Sequence, residues 1–298
     1  MRIPTITQKQ VAAFLKPRPR DSHKGRFGTV AVIGGASGMV GAALLAGRAA
    51  LKLGAGCVHV GLLADNAPAV DIVQSELMLH PAPFALSLME PLAIRLSPQA
   101  GKSLVMSKGN VLAVGCGMGT SIVAQKMLHD ILKRNIALVL DADALNLIAR
   151  HTDLQDDLRA RKAPTIITPH PGEAARLLGL STTEVQAART RSAQQLAQKL
   201  HCSVVLKGAD SVCVTHDGKT HINKTGNPGM SAPGMGDVLT GMIAAFIAQG
   251  LDADQALLLA VHLHGAAGDA LAEQGVMVGM TAGDVIEWGR WLLNKWMV

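Results

Sequence analysis

The run Asn227-Pro228-Gly229-Met230-Ser231-Ala232-Pro233-Gly234-Met235-Gly236-Asp237 ends in an acid set among glycines, just before an apolar stretch that reads as a helix over residues 238–249. Gly234 and Gly236 free the backbone to curl its N–H groups inward, and the helix dipole brings its positive end to the same point. Such a hole suits a transferring phosphoryl group. Asp237 at its mouth is placed to accept a proton from an attacking hydroxyl. The competing reading, a plain N-cap, leaves the preceding glycines without a reason.

Five other segments offer similar groups. Gly34-Gly35-Ala36-Ser37-Gly38-Met39-Val40-Gly41 follows an apolar run and feeds a helix, so it can present N–H groups to an anion or serve as a tight strand-to-helix turn. Its spacing is not the G-x-G-x-x-G of a dinucleotide fold, and no ribose-binding acid ends the next strand near Gly61. Gly115-Cys116-Gly117-Met118-Gly119 has alternate glycines that permit close approach of a ligand. Thr168-Pro169-His170-Pro171-Gly172-Glu173 cages His170 between prolines and puts Glu173 in a first helical turn, where the dipole favours a carboxylate. His170 is a site residue on this reading, or a loop histidine bonded to backbone. Leu206-Lys207-Gly208-Ala209-Asp210-Ser211 leaves Lys207 at a strand end, as a phosphate ligand or a solvated lysine. Asp141-Ala142-Asp143-Ala144-Leu145-Asn146 suits Mg2+, ribose or a helix cap alike. Gly101-Lys102-Ser103 is not a P-loop, because the required first glycine would fall at Leu96. His264 and Asp269 read as packing or capping residues, and no His/Cys spacing suggests structural zinc.

The elements that must position these groups alternate. Short apolar runs at residues 29–33, 57–62, 111–114, 137–140, 165–168 and 204–207 predict strands. Helical patterns are expected at 41–53, 120–133, 172–178, 182–200, 237–249, 252–273 and 282–295. A late hairpin pairs 211–215 with 220–223 around Asp217-Gly218, the preferred type I′ pair. Residues 82–102 are the least regular and read as a surface excursion. The alternation predicts an α/β domain, a mostly parallel central sheet with helices on both faces. In such sheets ligands bind at the carboxyl ends of the strands, where these glycines and polar groups gather. One domain over residues 1–298 is expected, with residues 1–23 a basic, solvated arm.

Composition narrows the partners. The chain is 49% hydrophobic and 17% charged, but only 2% aromatic with no Tyr, so Leu, Ile, Val, Ala and Met must build the core. The net charge is +6, densest at Lys16, Arg18, Arg20, Lys24 and Arg26. Nucleic-acid readers of single strands need aromatic platforms that are scarce here; a polyanionic small molecule suits the charge better. The absent Tyr also excludes a short-chain dehydrogenase. Cys57, Cys116, Cys202 and Cys213 form no C-x-x-C pair and read as buried thiols of a reducing cytosol. Residues 1–10 carry no apolar signal region, and the richest apolar stretch, 41–58, is broken by Arg48 and Lys52, short of the roughly 18 residues a membrane span needs. A cytoplasmic protein with no membrane or nucleic-acid partner is expected.

Taken in order, Lys24-Gly25-Arg26-Phe27-Gly28, the first glycine-rich loop, Asp141–Asn146, Thr168–Glu173, Leu206–Gly208, Asn227–Asp237 and His262–Asp269 resemble the ADP-dependent NAD(P)H-hydrate dehydratases of the ribokinase-like superfamily. The likeness runs from about Lys24 to Gly268. It implies a ribokinase-like fold and the nucleotide-driven dehydration of the S-epimer of hydrated NADH or NADPH, with Mg2+ as cofactor and ADP as phosphoryl donor. It further implies that Ala42, Gly117, His170 and Asp237 touch the hydrate, and that Asp237 is the catalytic base. Lys207, Gly208, Ala209, Asp210, Ser211 and Gly236 would hold the adenine nucleotide, with Glu173 near the Mg2+. A homotetramer, no fused epimerase domain and a separate epimerase as functional partner complete the expectation. Pro233, lacking an N–H, and Met235, lacking a hydroxyl, depart from the family pattern, and Ser211 stands where Thr is usual. A ribokinase-like kinase of a small alcohol or vitamin precursor shares the hole and base; a nucleotide sensor without turnover is a third reading.

Overall fold

The computed structural model describes residues 3–89 and 109–297. Nine strands form one sheet: β1 (Thr29–Gly34), β2 (Cys57–Leu62), β3 (Met78–Pro81), β4 (Asn110–Val114), β5 (Ala137–Leu140), β6 (Thr165–Ile167), β7 (Ser203–Leu206), β8 (Ser211–Val214) and β9 (Thr220–Asn223). Their order is β3-β2-β1-β4-β5-β6-β7-β8-β9. The pairings from β3 to β7 are parallel, and β8 and β9 run antiparallel. This is the mostly parallel sheet with a late hairpin that the alternation predicts.

Strand residues point alternately to two cores. Val30, Val32, Val111 and Ala113 face one, with α2 (Val40–Lys52), α10 (Met235–Ala248), α11 (Ala253–Glu273) and α12 (Ala282–Trp296). Ala31, Ile33, Leu112 and Val114 face the other, with α3 (Ala82–Leu88), α4 (Ile122–Leu132), α5 (Ala142–Arg150), α6 (Thr152–Ala160), α7 (Pro171–Leu178), α8 (Thr182–Ala187) and α9 (Arg189–Leu200). Burial on both faces is why the central strands read as unbroken apolar runs. Among the described residues no helix is long and apolar enough to cross a membrane.

Several expectations are corrected. The helix expected over 182–200 is two, because Ala188 (φ −135°, ψ 44°) breaks it. The break lets Arg189 turn its guanidinium onto the Leu206 and Lys207 carbonyls, and neither Gly nor Pro marks it in the sequence. The hairpin is not type I′. Gly218 alone takes positive φ there (80°), its N–H donates to Thr215 O at 2.8 Å, and Thr215 N–H donates to Lys219 O. Asp217 instead accepts from the Thr215 hydroxyl and the Lys219 amide, which favours a type I turn closed by a bulge. Residues 82–88 are helical, with Ala82, Ala85 and Leu86 buried, and the short strand β3 precedes them. Residues 90–108, including the Gly101-Lys102-Ser103 decoy, lie outside the described residues.

The first residues do not form a solvated arm throughout. Ile6 N–H donates to Ile222 O and Ile222 N–H to Pro4 O, so this segment lies along the edge of β9. Ile6 and Val11, the latter on α1 (Gln8–Ala12), are buried in the core. Arg18, though exposed like Lys16 and Arg20, stacks over Phe27 at 3.7 Å and donates to Gly54 O and Gln249 Oε1.

The most buried helix is α10, which packs on α2 through Gly241. A Cβ there would stand 2.1 Å from the Ala46 carbonyl oxygen. Gly241→Ala should therefore destabilise the protein by about 1–3 kcal/mol despite alanine's better helix propensity. Urea unfolding with an unchanged midpoint would contradict the close-packing account.

Candidate active site

Asp141 ends β5 and occupies the N-cap position of α5, yet its side chain caps nothing. Its Oδ1 accepts from Lys207 Nζ at 2.6 Å and its Oδ2 from Thr240 Oγ1 at 3.2 Å. The residue after it, Ala142, holds a left-handed φ of 48°, an uncommon conformation for a residue with a Cβ. The pair lies beneath the start of α10. A Cβ on Gly236 would stand 2.9 Å from Lys207 Nζ and 3.2 Å from Asp141 Oδ2, so only glycine fits there without displacing them.

Helix α10 starts at Met235 with Gly234 as N-cap (φ 87°), three residues before the expected Val238. Asp237 is therefore inside the first turn, not the cap. The first helical bond is Val238 N–H to Gly234 O. The amides of residues 235–237 are those that a helix start leaves without an internal acceptor. Met235 turns its side chain into the core and Pro233 is exposed.

Charge is crowded here. Burial pushes the Asp237 carboxyl up to about 6; the Cys116 thiol opposes this by hydrogen bonding, and Asp141 adds to it. Burial likewise pushes Glu173 up to about 7, against the pull of Lys207. Burial would lower the Lys207 ammonium, but Asp141 and Glu173 outweigh it and hold its pKa above the usual value. Cys116 is wholly buried and its pKa is raised well above the ordinary range, first by burial and then by Asp237 and Asp141, so it remains a thiol.

The loops are tied to one another. Gly35 and Ala36 donate their amides to the Cys116 and Gly117 carbonyls, at 3.0 and 2.7 Å. Those two amides are thus committed to loop–loop bonds, and for them the tight-turn reading replaces the anion-loop reading. A Cβ on Gly117 would stand 3.0 Å from the Ala42 Cβ, so these two predicted contacts adjoin. Lys207 N–H donates to Pro169 O, joining the proline-caged loop to the end of β7. His170 caps α7: its Nδ1 accepts from Gly172 and Glu173 amides, while Glu173 Oε2 accepts the His170 N–H at 2.8 Å. With Nδ1 accepting, the ring carries its proton on Nε2, 3.3 Å from Glu173 Oε1. Burial, then Lys207 and Arg176, lower the His170 pKa and favour the neutral ring. Gly208, Ala209 and Asp210 form an exposed turn beyond Lys207, in which Asp210 pairs with Lys224 and Ser211 Oγ donates to Gly208 O. Among the described residues, nothing bonds this turn to the Asp141–Asp237 cluster except the chain through Lys207.

The comparisons with known proteins agree with this architecture. The family model described as NAD(P)H-hydrate dehydratase matches residues 30–288. The chain belongs to the NAD(P)H-hydrate dehydratase family. It is 39% identical over 284 residues to the ADP-dependent (S)-NAD(P)H-hydrate dehydratase of Neisseria meningitidis, covering 94% of this chain and 90% of that one. It is 38% identical to the bifunctional NAD(P)H-hydrate repair enzyme Nnr of Moorella thermoacetica, of which it spans about half (97% of this chain, 54% of the relative). The crystal structure of the ADP/ATP-dependent NAD(P)H-hydrate dehydratase from Bacillus subtilis, co-crystallised with ATP/Mg2+, superposes with a TM-score of 0.82 at 28% identity over 99% of both chains.

Two residues of this dehydratase-family site escape a reading of the sequence. Cys116 looks like an inert buried thiol, and only its place between glycines at a strand end hints at more. Thr240 is one turn after Asp237, a hydroxyl in an otherwise apolar helix. Glu173 supplies a test of the electrostatics. Its raised pKa means that its ionisation destabilises the fold, a cost absent below about pH 4.5 and complete above about pH 7. Glu173→Gln should therefore raise the thermal midpoint at pH 8, and the gain should vanish toward pH 4; equal midpoints at pH 8 would contradict it.

Proposed function

We propose that this site uses ADP to dehydrate the S-epimer of hydrated NADH or NADPH, releasing NAD(P)H, AMP and phosphate. The observation that carries the reading is Asp237, half-buried inside the first turn of α10, beside the Asp141–Lys207 pair at Gly236. The names of the relatives point the same way. Lys207, Gly208, Ala209, Asp210, Ser211 and Gly236 hold the nucleotide. Ala42, Gly117, His170 and Asp237 hold the hydrate.

Asp237 accepts the proton of the ring hydroxyl. That oxygen bonds to the terminal phosphorus of ADP while the bond to the bridging oxygen breaks, and AMP leaves. The α10 amides and Lys207 offset the charge on the moving phosphoryl group. The ring-nitrogen lone pair then expels phosphate, leaving an iminium ion, and the ring carbon next to the one that carried the oxygen gives up a proton to water, which restores the dihydropyridine.

Three carboxylates (Asp141, Glu173 and Asp237) face one ammonium, and two of them are pushed up in pKa. This excess of oxygen donors fits a hard divalent cation bound with nucleotide phosphates, which Glu173 would hold from the protein side. Bound there, Mg2+ would neutralise charge on the phosphates. The reading brings with it a cytoplasmic homotetramer with an epimerase as functional partner, an association that the bifunctional relatives' name supports.

Asp237→Ala should lower turnover by orders of magnitude, with ADP affinity little changed; near-normal turnover removes Asp237 as the base. In the wild type, kcat/KM for the hydrate should fall tenfold per pH unit below about pH 6 as Asp237 of the free enzyme is protonated. Return of reduced-nicotinamide absorbance that requires ADP or ATP identifies the reaction and its donor. A stable phosphate ester in place of free phosphate would identify a small-alcohol kinase instead.

A further inference from the structure

A relay of hydrogen bonds runs from the glycine loop to an arginine that the reaction scheme leaves unused. Gly119 N–H donates to Asp143 Oδ2 at 2.8 Å, Asn146 Nδ2 donates to Asp143 Oδ1 at 3.3 Å, and Arg176 Nε donates to Asn146 Oδ1 at 3.0 Å. The relay thus links the loop holding Gly117 to α7, whose cap is His170. Arg176 is exposed and, among the described residues, has no carboxylate within ion-pair distance, although Glu173 feels its charge from farther away. The last turn of a helix favours a cation, but that alone does not require a fixed guanidinium. Helical side chains lean back over the preceding turn, and this one does: its Nη1 is 3.8 Å from where a Cβ on Gly172 would stand, a point 3.2 Å from His170 Nδ1. Gly172 therefore keeps open the space between the imidazole and the guanidinium. The relay engages Nε and leaves the two terminal nitrogens, the fork that matches two phosphate oxygens.

We propose that Arg176 is a phosphate-binding residue for the hydrated dinucleotide, gripping its diphosphate or its ribose 2′-phosphate at the mouth beside His170. This rests on the reading that the site takes hydrated NAD(P)H. A neutral amide as the anchor orients the cation without a direct counter-charge, as a ligand that brings its own negative charge requires. The interaction is remote from the reacting ring and is made equally in ground and transition states, so it acts on KM rather than kcat.

The test is steady-state kinetics of Arg176→Gln and Arg176→Lys on hydrated NADH and hydrated NADPH, with equilibrium binding of NADH and NADPH alongside. Arg176→Gln should raise KM for the hydrate about tenfold or more and leave kcat and the KM for ADP nearly unchanged, with partial rescue by Arg176→Lys. Equal effects on both hydrates assign the diphosphate, and an effect on the NADPH form alone assigns the 2′-phosphate. Unchanged hydrate KM, or a rise in the KM for ADP instead, overturns the proposal. If the wild type dehydrates neither hydrate, the functional reading fails, and binding decides on Arg176: NADPH affinity lost in Arg176→Gln sustains it, whereas equal or absent binding overturns it. Should Arg176→Gln fail to fold, Asn146→Ala, which unhooks the guanidinium, should show the same KM effect more weakly, and unchanged kinetics there overturn the proposal.

Discussion

The site depends on one ion pair, between the buried Asp141 and the half-buried Lys207. Asp141 is buried and Lys207 only partly exposed, so removing the lysine would leave a carboxylate without its counter-charge, at a cost of up to about 3–5 kcal/mol. The pair joins the end of β5 to the end of β7, across β6. It accepts the Thr240 hydroxyl from α10 as a third support. Everything else is arranged around this fixed point. Gly236 lacks a side chain because the pair occupies that space, and Ala142 keeps its left-handed backbone next to an aspartate turned away from its own helix.

Close packing then carries this arrangement outward. Helix α10 reaches the sheet only because Gly241 lets it lie against the backbone of α2, so the same contact that builds one core also delivers the α10 amides to Lys207. The glycine-rich loops after β1 and β4 bond to each other and bring Gly117 against Ala42. Burial raises the proton affinity of Asp237, the thiol of Cys116, next to Gly117, opposes this, and Asp141 adds to the rise. The outcome is a carboxylate that titrates near neutrality yet is mostly ionised at pH 7, as a general base requires.

Much of this is legible in the chain. The strands of the parallel sheet are apolar runs buried on both faces, and their ends carry the glycines and acids, so sheet and site appear together. What escapes has physical causes. Ala188 breaks a helix without a breaker residue, and the break is accompanied by long-range bonds from Arg189 to the Leu206 and Lys207 carbonyls that no local pattern reveals. Asp217-Gly218 follows side-chain bonds from Thr215 and Lys219 rather than its usual turn. Ile6 and Val11 anchor a segment whose basic residues suggest a solvated arm. Asp141 offers metal, ribose and cap readings from sequence alone; only the distance to Lys207, 66 residues away, selects among its contacts.

The most direct test of the account follows the oxygen. Hydrated NADH prepared with a heavy isotope of oxygen in its ring hydroxyl, turned over with ADP in ordinary water, should deliver that oxygen into the released phosphate, one atom per molecule. Phosphate that carries only solvent oxygen, with the label lost to water, would show that the hydroxyl never attacks phosphorus and would contradict the role given to Asp237 and the α10 amides.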